Sequence, residues 1–135
     1  MTESSPRHTL SLRVYWEDTD AGGVVYHANY LKFFERARTE WLRALGVGQE
    51  RLLAQTSRVF VVVHTALRYA APARLDDVID VSVALVSLGR ASLELAQRAT
   101  RGDALLAEGT IRIGCVEAGT FRPRRIPNAI LERLA

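Results

Sequence analysis

The chain has 135 residues, 48% of them hydrophobic and 24% charged, the proportions of an ordinary globular protein. Net charge is only +3, from 18 basic and 15 acidic residues, which argues against a nucleic-acid-binding surface; the one cysteine, Cys115, excludes a disulfide scaffold and fits a reducing compartment. The longest run without a charge, residues 21–31, is 11 residues long, well short of the roughly 20 that cross a bilayer as a helix, and no export signal opens the chain, so a soluble, cytoplasmic protein is expected.

In chain order, residues 1–7, which include no apolar run, read as a short disordered lead, and His8, which adjoins it, is given no role. Leu10, Leu12, Val14 and Trp16 then alternate with Ser11, Arg13 and Tyr15, the pattern of a half-buried strand. The stretch EDTDAGG breaks it, because glycine frees the backbone for turn geometry. From Asn29 the period changes: Tyr30, Phe33, Phe34, Ala37, Trp41 and Leu45 recur at intervals of three and four. That spacing predicts an amphipathic helix over residues 30–45, about 24 Å long, with Asn29 placed as its cap and Gly46 as its stop. Residues 49–55 add a short helical turn.

The rest of the chain reads as strands. Residues 59–71 are β-branched and aromatic, PARLDD interrupts them, and residues 78–89 alternate. Gly89-Arg90 and the Arg101-Gly102-Asp103 stretch are tight turns on either side of residues 91–100, and residues 104–117 form the last strand. Short turns between successive strands mean antiparallel pairing. A basic, proline-marked tail ends in a short helix, with Pro127 suited to its first turn. One long helix with a single aromatic stripe must pack on the sheet, which gives a two-layer α+β domain over residues 1–135 with the sheet curled around the helix. The open sheet leaves edges that self-pairing would cover, so at least a dimer is expected. The 17 arginines against a single Lys32 are spread along the whole chain, as the codon usage of a GC-rich genome would produce; the competing explanation is that the planar arginine fork grips phosphate and carboxylate.

The chemistry gathers in DTDAGGVVYHANYLKFF. Asp20 ends a turn, Gly22 and Gly23 let a ligand approach the backbone, and a helix begins within a few residues. The first N–H groups of a helix have no intrahelical partner, and with the helix dipole they favour negative charge. A carboxylate and a helix N-terminus across a short loop can serve acyl transfer. The N–H groups hold the developing oxyanion, and the carboxylate attacks the carbonyl or activates water. Asp18 reads as structural, holding the turn.

The stretch YWEDTDAGGVVYHANYLKFFERARTEWL resembles the hotdog-fold acyl-CoA thioesterases of the 4-hydroxybenzoyl-CoA thioesterase type, and within them the YbgC branch associated with the Tol-Pal envelope system. RYAAPARLDDVIDVSV continues the likeness more loosely. The resemblance implies a five- or six-stranded antiparallel sheet wrapped around one long helix, with dimers or tetramers and active sites at the subunit interface. It implies that Asp20 is catalytic, as nucleophile or general base. It also implies that the backbone N–H at His27 polarises the thioester carbonyl, that the His27 side chain assists, and that Tyr26 belongs to the substrate site with Gly22 and Gly23. The expected partner is an acyl-CoA or acyl carrier protein thioester; coenzyme A is part of the substrate and no metal or other cofactor is expected. Links to Tol-Pal or phospholipid-synthesis proteins follow from the family alone.

Coenzyme A phosphates need cations, and Arg90, Arg122, Arg124 and Arg125 are candidates to supply them across a dimer. Glu35 could orient substrate or water, although an exposed ion-pairing face with Arg36 is the plainer reading; His64 reads as a core or interface histidine. Two rival readings stand beside hydrolysis. A hotdog 3-hydroxyacyl thioester dehydratase would use His27 and Glu35 to move protons at carbon. A non-catalytic partner of envelope or lipid-synthesis proteins would keep an inherited site.

Overall fold

A computed structural model describes residues 5–135. Its elements in order are β1 (His8–Arg13), a 3-10 turn (Trp16–Asp18), α1 (Asn29–Ala44), α2 (Gln49–Thr56), β2 (Arg58–Tyr69), β3 (Val78–Leu88), β4 (Ser92–Arg101), β5 (Ala104–Glu117) and α3 (Asn128–Leu134). The five strands form one sheet in the order β1-β3-β4-β5-β2, every pair antiparallel. This is the α+β hotdog arrangement, with the sheet packed around α1.

The helix forms where the aromatic period predicts it, one residue earlier at each end. Phe33, Phe34 and Ala37 have no exposed surface, and Tyr30, Trp41 and Leu42 are buried beside them. They meet the inward side chains of the sheet: Ile79, Val81 and Val83 from β3, Leu93 and Leu95 from β4, Ile111 and Ile113 from β5. Each fully buried phenylalanine stabilises the fold by roughly 2–3 kcal/mol relative to exposure. Register shifts at Val62/His64, Leu85/Ser87 and Ala99/Thr100 mark bulges, which bend strands and increase twist; they help the sheet to curl over the helix. Where β2 meets β5, Gly109 lies opposite Leu67, and a Cβ added there would come 2.3 Å from the Ala66 carbonyl oxygen.

Several local expectations shift. Of the expected lead, residues 1–4 lie outside the described residues. Arg7 already donates its N–H to the Val83 carbonyl at 2.6 Å and His8 opens β1, so the ladder begins inside that stretch. Trp16 leaves the alternation that buries Val14: the strand ends at Arg13, the chain winds into the 3-10 turn, and Trp16 is 82% exposed. Residues 49–56 make a two-turn helix rather than a single turn. Pro127 is the residue before α3 and not in its first turn; its carbonyl accepts the N–H groups of Ile130 and Leu131. His64 is exposed on β2, an edge strand, and not in the core. Among the described residues no helix is long and apolar enough to cross a membrane.

Candidate active site

An antiparallel bridge between Thr19 and Val25 closes a tight loop around Asp20. Inside it, the Asp20 N–H donates to the Val24 carbonyl at 2.9 Å and the Gly23 N–H to the Asp20 carbonyl at 3.0 Å. The Gly22 N–H donates to Asp20 Oδ1 at 2.8 Å. Gly23 has φ +79°, a left-handed conformation that disfavours a side chain. The glycines therefore first serve the loop itself. The other carboxylate oxygen, Oδ2 of exposed Asp20, has no partner among the described residues. The loop is pinned from outside by the Val25 N–H donating to Ala73 at 2.9 Å and by a bridge from Val24 to Arg74.

Asp18, two residues away, has the opposite environment. It is 5% exposed; its Oδ2 accepts the Tyr15 N–H and its Oδ1 the Asn29 side-chain amide, both at 2.8 Å. Its carbonyl accepts the Tyr26 N–H at 2.9 Å. Asp18 thus ties the acidic loop to the start of α1. Asn29 is not the cap expected of it. It is the first helical residue, buried, with its amide committed to Asp18, while Ala28 occupies the cap position with no side-chain hydrogen bond. A side chain this close to a buried carboxylate gains more by pairing with it than by capping exposed N–H groups.

The helix start is left open. The Asn29 N–H reaches the Tyr26 carbonyl and the Leu31 N–H the Ala28 carbonyl, but neither the His27 nor the Ala28 N–H finds an acceptor among the described residues. Unpaired N–H groups at a helix N-terminus are donors for an anion. The rings of Tyr26 and His27 lie 4.6 Å apart, and Tyr69 meets His27 edge-on at 6.1 Å and Tyr30 at 5.7 Å. The Tyr69 hydroxyl donates to the His27 carbonyl at 2.9 Å. Burial raises the phenol pKa of Tyr69, and burial followed by the neighbouring Tyr69 phenol raises that of Tyr30.

Asp20, Gly22, Gly23, Tyr26 and His27 therefore share one short segment between the 3-10 turn and α1. Arg90 is elsewhere. It follows β3, whose 11 residues span about 35 Å, and it meets the tail at the far end of the sheet, where its carbonyl accepts the Ile126 N–H. Arg124, ion-paired with Glu117, lies at that same end. Arginines at the acidic end include Arg74, opposite Val24, Arg101, which donates to Asp77 at 2.8 Å, and Arg13, which donates to the Asp76 carbonyl at 2.8 Å. None of these arginines, nor Tyr69, is marked by a local motif in the sequence. Glu35 is exposed, accepts the Thr39 hydroxyl at 3.2 Å, and lines a groove of about 150 Å³ between α1 and β2 with Leu42, Phe60 and Val62. Arg36 lies over the Phe33 ring at 6.0 Å.

Comparison with known proteins gives this segment its context. The profile described as thioesterase-like superfamily matches residues 14–134. The acyl-CoA thioesterase YbgC of Haemophilus influenzae is 44% identical over 122 residues, covering 90% of each chain. The chain belongs to the YbgC group of the thioesterase-like superfamily. The acyl-CoA thioester hydrolase YbgC of Escherichia coli is also 44% identical, over 89% of this chain and 90% of that one. A crystal structure of a probable thioesterase from Bartonella henselae superposes with a TM-score of 0.85 at 34% identity, covering 89% of this chain and 98% of that one. The superfamily match takes in the acidic loop, the helix start and Tyr69 together.

Proposed function

We propose that this YbgC-group chain hydrolyses acyl-CoA thioesters to a free acid and coenzyme A, with Asp20 as nucleophile or general base and the N–H groups at His27 and Ala28 as oxyanion donors. The observation that carries the reading is the pairing of an exposed carboxylate, one oxygen held by Gly22 and the other without a partner among the described residues, with N–H groups seven and eight residues on that likewise find no acceptor among them. The thioester carbonyl oxygen is received by those N–H groups while Asp20 attacks the carbonyl carbon or takes a proton from the attacking water. Preorganised donors of this kind lower a barrier by about 3–4 kcal/mol each. The thiolate of coenzyme A then leaves, and its good leaving ability allows a site without strong general acid; where Asp20 itself attacked, water then cleaves the mixed anhydride it formed, which releases the acid and restores the carboxylate. Tyr26, Gly22 and Gly23 flank the reacting group. Arg90 contributes only from a second copy of the chain, because β3 separates it from Asp20. An acyl carrier protein thioester is the alternative substrate. No cofactor beyond the coenzyme A of the substrate enters the reaction.

The working assembly is a homodimer or a homotetramer. Its support is the unpaired edge of β2, where Val62 and Val63 are half exposed. The expected setting is the cytoplasm, in keeping with the lone buried thiol of Cys115, with Tol-Pal and phospholipid-synthesis proteins as neighbours by family context.

The test is thiol release from a panel of short, long and aromatic acyl-CoAs, comparing wild type with Asp20→Asn. Turnover in the wild type that falls at least 100-fold in the variant, with folding retained, is expected. Equal turnover in both would sink the role of Asp20, and release from no acyl-CoA or acyl carrier protein thioester would sink the hydrolase reading.

A further inference from the structure

The peptide joining His27 to Ala28 is held by a residue 42 positions away. In a regular α-helix that began here, the His27 carbonyl would take the Leu31 N–H. Leu31 instead donates to Ala28 at 3.2 Å, and the His27 carbonyl accepts the Tyr69 hydroxyl at 2.9 Å. The hydroxyl therefore occupies the carbonyl that would otherwise extend the helix toward the loop by one more residue. The N–H on the other side of the same peptide plane belongs to Ala28, and it has no acceptor among the described residues.

Resting on the hydrolase reading above, we propose that Tyr69 is a positioning residue for the reaction: by donating to the His27 carbonyl it fixes and polarises the His27–Ala28 peptide, which carries one of the two N–H groups that receive the oxyanion. Two effects follow from one bond. The plane of the peptide is set, so the N–H is aimed before substrate arrives. Hydrogen bonds through a shared peptide group also strengthen one another, so donation to the carbonyl makes the Ala28 N–H a better donor. The tyrosine is well placed to hold position. It ends β2 in register with Ala107, the next two N–H groups, of Ala70 and Ala71, both reach the Leu106 carbonyl, and its ring is braced by Tyr30 and His27. Among the described residues Tyr69 makes no hydrogen bond to Asp20, so its action is through the peptide.

Tyr69→Phe keeps the ring contacts and removes only the donor. Loss of a direct oxyanion donor costs about 100- to 1000-fold in kcat, and a group acting one peptide away is expected to cost about tenfold. KM should stay within about twofold, because the interaction strengthens in the transition state rather than on substrate binding. The Ala28 amide resonance should move in the proton–nitrogen spectrum of the free protein, while those of α1 beyond Leu31 stay in place. Unchanged kcat in Tyr69→Phe overturns the proposal, as does a rise in KM that accounts for the whole loss, or an Ala28 resonance that does not move. Wild-type protein that releases thiol from no acyl thioester sinks the hydrolase reading instead. The Ala28 resonance keeps the two failures apart, since it reports on the peptide with no substrate present.

Discussion

The two ends of α1 are built in opposite ways. At the C-terminal end every device for satisfying a helix is in use. The Leu45 N–H reaches the Trp41 and Leu42 carbonyls, Gly46 donates to Arg43 and Val47 to Leu42. Gly46 takes φ +80°, and the Arg133 guanidinium donates to the Leu45 and Gly46 carbonyls at 3.4 and 3.1 Å. A cation against the negative end of the helix dipole adds to this. At the N-terminal end Ala28 caps with no side-chain hydrogen bond, and two N–H groups just before the helix lack acceptors among the described residues. What holds that end lies outside the helix backbone: Asp18 on the Asn29 side chain and Tyr69 on the His27 carbonyl. The difference teaches where stability and reactivity were separated. One end is closed for stability, and the other is kept open and propped from the side.

Breaking the open end should have the largest effects. Asp20→Asn is expected to abolish turnover with little change in melting temperature. Asp18→Ala strips a buried acceptor from both Asn29 and Tyr15 and should destabilise the fold by about 1–3 kcal/mol in urea denaturation. It should also lower turnover, because the loop and helix start are no longer tied. Retained stability in Asp18→Ala would show that the clamp is not what joins them. At the closed end, Gly46→Ala forces a Cβ into a left-handed conformation and to 3.0 Å from Arg133 Nη1. It should cost about 1–2 kcal/mol and leave kcat untouched. A fall in kcat there would mean that the two ends are not separate.

Acid sharpens the same contrast from below the loop. Asp77 accepts the Arg74 N–H and the Arg101 guanidinium, each at 2.8 Å. The Arg74 backbone N–H first, and then Arg101, hold its carboxyl below the ordinary range. A depressed folded-state pKa contributes stability above the unfolded value, near 3.9, and that stability is lost as pH falls through the folded value. Arg68 and Arg98 act on Glu108 in the same direction. Urea midpoints should therefore fall as pH drops below about 4, and Asp77→Asn should flatten part of that fall; an unchanged profile would remove Asp77 from it. The smallest effect belongs to Arg133→Ala, expected to lose about 0.3–1 kcal/mol with no change in hydrolysis.

The fold was legible wherever a local period decided it. Aromatic residues at intervals of three and four placed α1 to within one residue, and β5 begins and ends where the turn residues put it. The reading failed where local and distant terms competed. Trp16 continues the alternation of Leu10, Leu12 and Val14 on paper, but the 3-10 turn intervenes and carries it into solvent. Asn29 looks like a cap until the buried Asp18 carboxylate, 11 residues back, is within reach. The acidic loop could be read because its parts are contiguous. Tyr69 could not, because nothing near it in the chain signals a contact with His27; only the pairing of β2 with β5 brings it there.

That pairing gives Gly109 a significance out of proportion to its chemistry. It carries no side chain, touches no candidate site residue, and would be passed over in any inventory of functional groups. Yet a single added methyl at this position would press on the Ala66 carbonyl at 2.3 Å, three residues before Tyr69 on the same strand. The strand would have to lift, and the hydroxyl that holds the helix start would lift with it. In a saturation mutagenesis screen scored by growth or turnover, Gly109 should therefore behave like an active-site residue, intolerant of nearly every substitution.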